Sequence, residues 1–362
     1  MITYWTLFLA PSLWALLSAK PWQRPCRSTS QALLWFLVFI GLTLIIGLRH
    51  EVGGDWDSYL VDLELARWFS PSEWIFKIGV DPAYFFLTWI AVHWGGGIYL
   101  VNTVCGLIFS LGLLAFCRQL PRPWLALAVA MPYLVTVVAM GYSRQGVAIG
   151  IIMWGLPLLQ RGLILRFLLV VIAAGLFHKA AFGFILLAFV SRTKNKFLTV
   201  IALLGVCAGL YALTIANAIE MLILGYLETK YQSAGAGVRV AMNALPGLLL
   251  LCFYKKLALE PNTRRLWLYL AWASIGFVGL LQVSPSSTAV DRLALFLTPL
   301  QLFVWSHFPD MFGRVGRRNL LWVLTVLGVY AAALFVWLFW GVHSAAWIPY
   351  KFYPVELLER LP

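Results

Sequence analysis

The sequence predicts an all-α polytopic membrane protein with about 10–12 transmembrane helices, one or two of them short, broken or re-entrant. Three observations lead there. Hydrophobic residues make up 62% of the 362 and charged residues 11%, too little polar surface to cover a soluble globule of this size. Apolar stretches of spanning or near-spanning length recur from one end to the other. The basic residues fall in short clusters between those stretches, as in loops retained on the inner side of a membrane. No room is left for a soluble domain of about 100 residues, so residues 1–362 read as a single membrane domain. A net charge of +13 distributed in this way speaks for topology, not for nucleic acid as a partner. The cysteines lack CxxC or Cys/His ligand spacing, so neither a disulfide framework nor a metal or other cofactor is indicated.

The first apolar stretch, 2–19, has no basic segment before it and leads into further spans, so it reads as a helix of the membrane domain and not as a signal peptide. Basic clusters at 20–27, 118–122, 161–166, 192–196, 255–265 and 314–318 together hold seventeen Lys and Arg; the acids on the same side are Glu260, within a cluster, and Asp310, just before the last one. The rest of the chain holds ten against twelve. Placing the clusters in the cytoplasm puts the N-terminus outside, makes 31–48 the second span and leaves an external loop over 49–97. Parity then constrains the next crossing. The stretch 81–117 exceeds one span but must cross an odd number of times, so 98–117 is the expected span. Residues 81–97, with His93 and the Gly95-Gly96-Gly97 break, become a short half-helix or interfacial segment on the outer side. Two apolar helices then meet, again outside, at Gly141-Tyr142-Ser143-Arg144-Gln145.

The run 163–190 has both ends inside and is interrupted at Phe177-His178-Lys179. Two arms of about 14 residues rise roughly 21 Å each against a core of about 30 Å, which suits a pair of short helices whose tip lifts His178 toward the outer side. Spans at 197–217, 241–254, 266–283, 293–308 and 320–342 come after it, leaving external segments 218–240, 284–292 and 343–362.

Candidate chemistry gathers on the outer side. The external loop opens Arg49-His50-Glu51-Val52-Gly53-Gly54-Asp55-Trp56-Asp57-Ser58-Tyr59. Its glycines permit a tight turn with exposed backbone N–H groups, which suits an anion, while Asp55 and Asp57 suit a sugar hydroxyl. Trp56, Tyr59, Leu60, Leu63 and Ala66 recur at helical spacing, so the loop is expected to continue as an interfacial amphipathic helix. The competing reading is a solvated loop with Arg49 snorkelling to headgroups. Arg144 is placed outside, where positive charge is disfavoured, and beside it Gln145 is a polar candidate; a structural ion pair to Asp55 or Asp291 is the alternative. His178 at its helix break and the Asp291-Arg292 pair at a helix mouth are further candidates. The aromatic segment Trp347-Ile348-Pro349-Tyr350-Lys351-Phe352-Tyr353 reads first as an interfacial belt anchor.

These motifs, in this order, resemble the EpsG family of Wzy-like polysaccharide polymerases. Arg49, Val52, Gly53, Asp55 and Tyr59 fit its Arg-x-x-Val-Gly-x-Asp-x-x-x-Tyr pattern, and Arg144-Gln145 with Ala148 is similar to its Arg-Gln-x-x-Ala helix start. Phe177-His178-Lys179-Ala180-Ala181 looks like its helix break, with Ala180 where serine is common, and Pro349-Tyr350 is similar to its C-terminal end. The resemblance implies a glycosyltransferase that joins repeat units carried on undecaprenyl pyrophosphate at the outer face of the cytoplasmic membrane. Its substrates would be lipid-linked glycans and its surroundings the bilayer, with other polysaccharide-export or chain-length proteins as further partners. On that reading Arg49 and Arg144, with Arg292 third, meet the charge of the departing phosphates, and Asp55 and His178 compete to take the acceptor proton. Asp57, Tyr59, Gln145, Asp291, Arg292 and Tyr350 are the expected substrate-binding residues. The same arginines and acids would serve a ligase or another lipid-donor glycosyltransferase. A lipid-linked glycan flippase is the alternative from another class, against which stand the lack of an internal repeat and the gathering of polar residues at one surface.

Overall fold

The computed structural model describes residues 1–21, 29–74, 80–192 and 235–359. It is all-α among those residues, and five of its helices are long and apolar enough to cross a membrane. The protein is therefore a multi-pass membrane protein. The expected span 197–217, the cluster 192–196 beyond its first residue and most of the segment 218–240 lie outside the described residues. The chain forms two compact units.

The first unit comprises Met1–Gly155, Leu169–Ala181 and Ser306–Pro362. It opens with α1 (Ile2–Leu17) and α2 (Thr29–Gly47), followed by α3 (Trp56–Trp68), α4 (Pro82–His93) and α5 (Gly97–Cys117). Over 81–117, the expected short segment and span have their counterparts in α4 and α5. α5 has the length to span, at 21 residues, whereas α4 has only 12 and rises about 18 Å. Pro82 at its first turn starts α4, and the turn at Gly95 ends it.

The centre of this unit is α6 (Pro123–Ala130), every residue of which is buried. It is apolar all round because protein covers it all round. At Met131 it widens into a π-helical stretch that runs to Ala139. Pro132 supplies no N–H there, and the Thr136 hydroxyl donates to the Met131 carbonyl five residues back at 2.9 Å. α7 (Ser143–Gln160) returns from the far end. Glycine lets α5 and α7 touch backbone to backbone, since a Cβ at Gly112 would stand 1.9 Å from the Gly150 carbonyl oxygen. The last long helix, α14 (Leu320–Trp340), and α1 pack against α6.

Arg122, which the sequence places among the exposed topological charges, is buried. Its guanidinium grips Asp310 with two hydrogen bonds of 2.6 and 2.9 Å and donates to the carbonyls of Ala19, Ser306 and Arg317. It ties the end of α1 to the segment that leads into α14, where Asn319 also reaches the Pro309 and Arg314 carbonyls.

The break expected within 163–190 falls where the sequence puts it. α8 (Ile164–Phe177) stops before His178, a 3-10 turn runs over Lys179–Gly183, and α9 (Phe184–Arg192) comes next. The second unit, Leu156–Leu168 with Phe182–Trp305, contains α10 (Ala236–Phe253), α11 (Pro261–Val283) and α12 (Ser287–Ala294). The expected span 293–308 is divided, because a 3-10 turn at Leu295–Leu297 separates α12 from α13 (Thr298–Phe312). Pro299 cannot donate to a continuing helix, and the Thr298 hydroxyl turns back to the Leu295 carbonyl. In this unit Asp291 on α12 takes two bonds from Nε of Arg239 at 2.8 and 2.9 Å, and Asn243 joins the Ala294 carbonyl to the Gln301 amide.

Candidate functional site

α2 ends at Gly47, and the chain turns through Arg49, whose side chain is 1% exposed. Its Nε donates to the Val52 carbonyl at 3.1 Å and its Nη1 to the Ile46 carbonyl; Nη2 donates to Asn102 Oδ1 at 3.0 Å and to Ser143 Oγ at 2.7 Å. One guanidinium thus joins the loop to the end of α2, the body of α5 and the first residue of α7. A rigid five-donor fork is the side chain suited to four acceptors at once. It does not snorkel, and its charge faces protein.

The loop is fixed from a second direction. His50 N–H donates to the Lys351 carbonyl at 3.0 Å, Tyr353 N–H to the Leu48 carbonyl at 2.8 Å, and Gly53 N–H to the Ala346 carbonyl at 2.9 Å. The C-terminal segment is therefore a strap laid over the loop, not a lipid-facing belt. Trp347 is 1% exposed and donates from its indole to the Thr136 carbonyl of the π stretch at 2.7 Å, while the Tyr350 hydroxyl reaches the Ile45 carbonyl at 2.8 Å. Burial pushes the Tyr350 phenol above its usual range. Gly53 is required twice: its φ is +114°, and a Cβ would stand 2.4 Å from the Met140 carbonyl oxygen.

From this anchored turn α3 departs. Asp55 occupies its N-cap position, Asp57 is exposed in the first turn and Tyr59 is buried. Trp56, Tyr59 and Ala66 form the inner face as the spacing predicted, Leu63 packs beside them, and Leu60 is turned outward. Asp62 lies on the inner side, one of its oxygens buried and without a hydrogen-bond partner among the described residues.

Arg144 is the second residue of α7, a cation at a helix N-terminus, where the backbone dipole opposes it. What offsets this is Asp81, 3.6 Å away, rather than Asp55 or Asp291 as the sequence suggested. The guanidinium also lies over the rings of Tyr59 and Tyr84, at 5.7 and 5.6 Å from their centroids. Its side chain nevertheless stays 31% exposed. Arg49 and Arg144 are thus unlike: the first is enclosed, and the second is gripped on one side and open on the other.

Asp81 connects the arginine to the broken helix, because its Oδ1 accepts the Lys179 N–H at 3.3 Å. The three motifs at 49–59, 143–145 and 177–181 accordingly converge in one unit. His178 itself accepts the Ala180 N–H at Nδ1, 3.2 Å away, which leaves the proton of a neutral ring on Nε2. Burial raises the proton affinity of both Asp62 and Asp81; the Arg144 charge opposes this at both, and the Lys179 N–H also opposes it at Asp81. Gln145 is buried behind Arg144. Asp291 and Arg292 belong to the second unit, where Asp291 is paired with Arg239.

Sequence reasoning passed over Asp62, Asp81, Tyr84, Asn102 and Ser143. Two of them carried a signal. Asp81 precedes the helix-starting Pro82, and Asp62 lies seven residues after Asp55, hence on the same helical face.

Comparison with curated proteins and with solved structures gave no match. The model of the EpsG family, a family of Wzy-like polymerases, matches residues 32–352 and so takes in the anchored loop, Arg144, the helix break and the strap. The chain therefore belongs to the EpsG family, and is a polymerase-type glycosyltransferase of polysaccharide synthesis set in a membrane.

Proposed function

We propose that the protein joins oligosaccharide repeat units carried on undecaprenyl pyrophosphate, at the outer face of the bacterial cytoplasmic membrane. The observation that carries this reading is Arg144, a cation oriented by Asp81 and two tyrosines yet open on one side. When the bond between sugar and pyrophosphate breaks, negative charge grows on a phosphate oxygen, and a preorganised guanidinium stabilises that charge more than it stabilises the intact donor. A charge-assisted contact of this kind is worth about 1.5–3 kcal/mol.

Arg49 takes a different part. With its donors committed to Ile46, Val52, Asn102 and Ser143, it is a positioning residue that fixes the loop carrying Asp55 and the start of the helix carrying Arg144. His178, its Nδ1 occupied by a backbone N–H, fits a positioning residue at the helix break better than a base. Asp57, on the exposed side of α3, fits contact with sugar hydroxyls at the rim. The net negative balance of the segments outside the basic clusters supports the outer-face placement.

The test is chain extension by purified protein in detergent, given lipid-linked repeat units and no sealed compartment. Wild-type protein should lengthen chains, which a transporter cannot do under those conditions. Arg144→Ala should lower kcat by about 100-fold or more while remaining inserted. Polymer of normal length from Arg144→Ala would refute the role given to this arginine.

A further inference from the structure

One carboxylate at the site has no structural duty that the geometry reveals. Asp81 is committed to Arg144 and to the Lys179 N–H. Asp62 instead presents a buried oxygen with no hydrogen-bond partner among the described residues. It shares a face of α3 with Asp55 and Tyr59, at spacings of seven and three residues, and the charge of Arg144 acts on it directly. Leaving an acceptor buried and unsatisfied costs about 1–3 kcal/mol, and such groups are uncommon in folded proteins unless something else supplies the donor. A donor that arrives with substrate would satisfy this oxygen. Next to a cation suited to a leaving phosphate, a donor of the right chemistry is a sugar hydroxyl.

We propose that Asp62 is the base that accepts the proton of the attacking acceptor hydroxyl. The assignment rests on the polymerase reading above. The hydroxyl proton passes to the free oxygen of Asp62 as the hydroxyl oxygen donates an electron pair to the anomeric carbon of the donor sugar. The bond from that carbon to the pyrophosphate oxygen breaks, and its electron pair leaves on the lipid pyrophosphate beside Arg144. Asp62 then returns its proton to solvent. Burial makes this carboxylate a stronger base than an exposed one, which suits work near neutral pH. Among the described residues, the titratable and charged groups around it are Arg144 of α7, Asp55 and Tyr59 of its own helix, Tyr84 of α4 and the preceding Asp81, with Tyr99 and Cys105 of α5 in the core against which α3 packs.

The experiment measures chain extension by purified wild-type protein, Asp62→Asn, Asp62→Glu and Asp81→Asn from acid to neutral pH, together with the Tm of each. Asp62→Asn should lower kcat by about 100-fold or more, with KM for the lipid-linked donor within threefold of wild type. Because the base must be deprotonated, wild-type kcat should fall as pH drops through the raised pKa of Asp62. That acid limb should move in Asp62→Glu and vanish from the residual activity of Asp62→Asn. The Tm of Asp62→Asn should be no lower than that of wild type, since a buried charge is removed. Asp81→Asn should raise KM instead, by loosening Arg144. If wild-type protein extends chains and Asp62→Asn keeps more than a tenth of its kcat, or keeps the acid limb, the assignment is wrong and the polymerase reading stands. A fall in kcat accompanied by a lower Tm overturns it as well. If wild-type protein extends nothing, the polymerase reading fails and the assignment falls with it.

Discussion

Arg49 and Arg144 look alike in the sequence, each an arginine at the mouth of an apolar helix on the side where such charge is disfavoured. Their surroundings separate them. Removing the Arg49 side chain leaves the Ile46 and Val52 carbonyls and the Ser143 oxygen without its N–H groups at a buried position, and leaves Asn102 Oδ1 with the Ser143 hydroxyl as donor. Each stranded acceptor costs about 1–3 kcal/mol, so Arg49→Ala should destabilise by several kcal/mol even though the hydropathy that drives insertion is unchanged. Arg144→Ala breaks one ion pair and two cation–π contacts at a partly open site and should cost about 1–2 kcal/mol. Thermal melts of the two variants in the same detergent check this: Arg49→Ala should melt well below wild type and Arg144→Ala between the two. Equal melting temperatures would mean that Arg49 does not hold the loop. Lysine should not rescue Arg49, because an ammonium has three donors on one atom and cannot reach the four acceptors that the guanidinium holds.

At the scale of elements, the strap from Ala346 to Tyr353 and the π stretch of α6 form one device. Trp347 fills the space that glycine leaves at Gly141, where a Cβ would come within 2.3 Å of its ring, and ties the strap to Thr136 through the indole N–H. The loop at Gly53 is held between Met140 and the strap. Trp347→Phe keeps most of the packing and strands the Thr136 carbonyl, so a loss of about 1–3 kcal/mol is expected. Gly53→Ala meets both a positive φ and a backbone oxygen and should cost at least as much. Both changes should loosen the loop against the strap, read as faster amide exchange at His50 and Gly53, whose N–H groups the strap protects. Unchanged exchange at these two amides in Trp347→Phe would show that the strap stands without its tryptophan. Little of this device was legible in the sequence. An aromatic, basic tail has the composition of an interfacial belt, and only the hydrogen bonds of its backbone distinguish a strap from an anchor. The glycines of the loop and the break at His178 were legible, because each is a local demand on the chain that residue type expresses directly. The roles of Asn102, Ser143 and Asp62 were not, since each depends on a partner far away in the sequence, 53 residues for Asn102 and 94 for Ser143 with Arg49.

For the molecule as a whole, the distribution of charge along the sequence predicts the path of the chain, and its critical step, the odd crossing expected between Asp81 and Cys117, has as counterparts one short helix and one long enough to span. The count does have an internal exception. Arg122 has the sequence position of an inner-face charge but is a buried clamp on Asp310, so its presence in a cluster is explained by folding as much as by topology. Removing both from the count leaves the asymmetry intact, because the remaining clusters are still overwhelmingly basic. The outer face proposed for the site can therefore be tested at exposed positions. Asp57 is exposed on α3 and Lys256 is exposed beyond α10, and the topology places them on opposite sides. In a background with the native cysteines replaced by alanine, Asp57→Cys should react with a membrane-impermeant maleimide applied from the periplasmic side, and Lys256→Cys should react only after the membrane is permeabilised. The reverse pattern would put Arg144 on the cytoplasmic side and exclude outward-facing lipid-linked donors as its substrate, whereas labelling of both positions from outside would mean that the number of crossings between them is even.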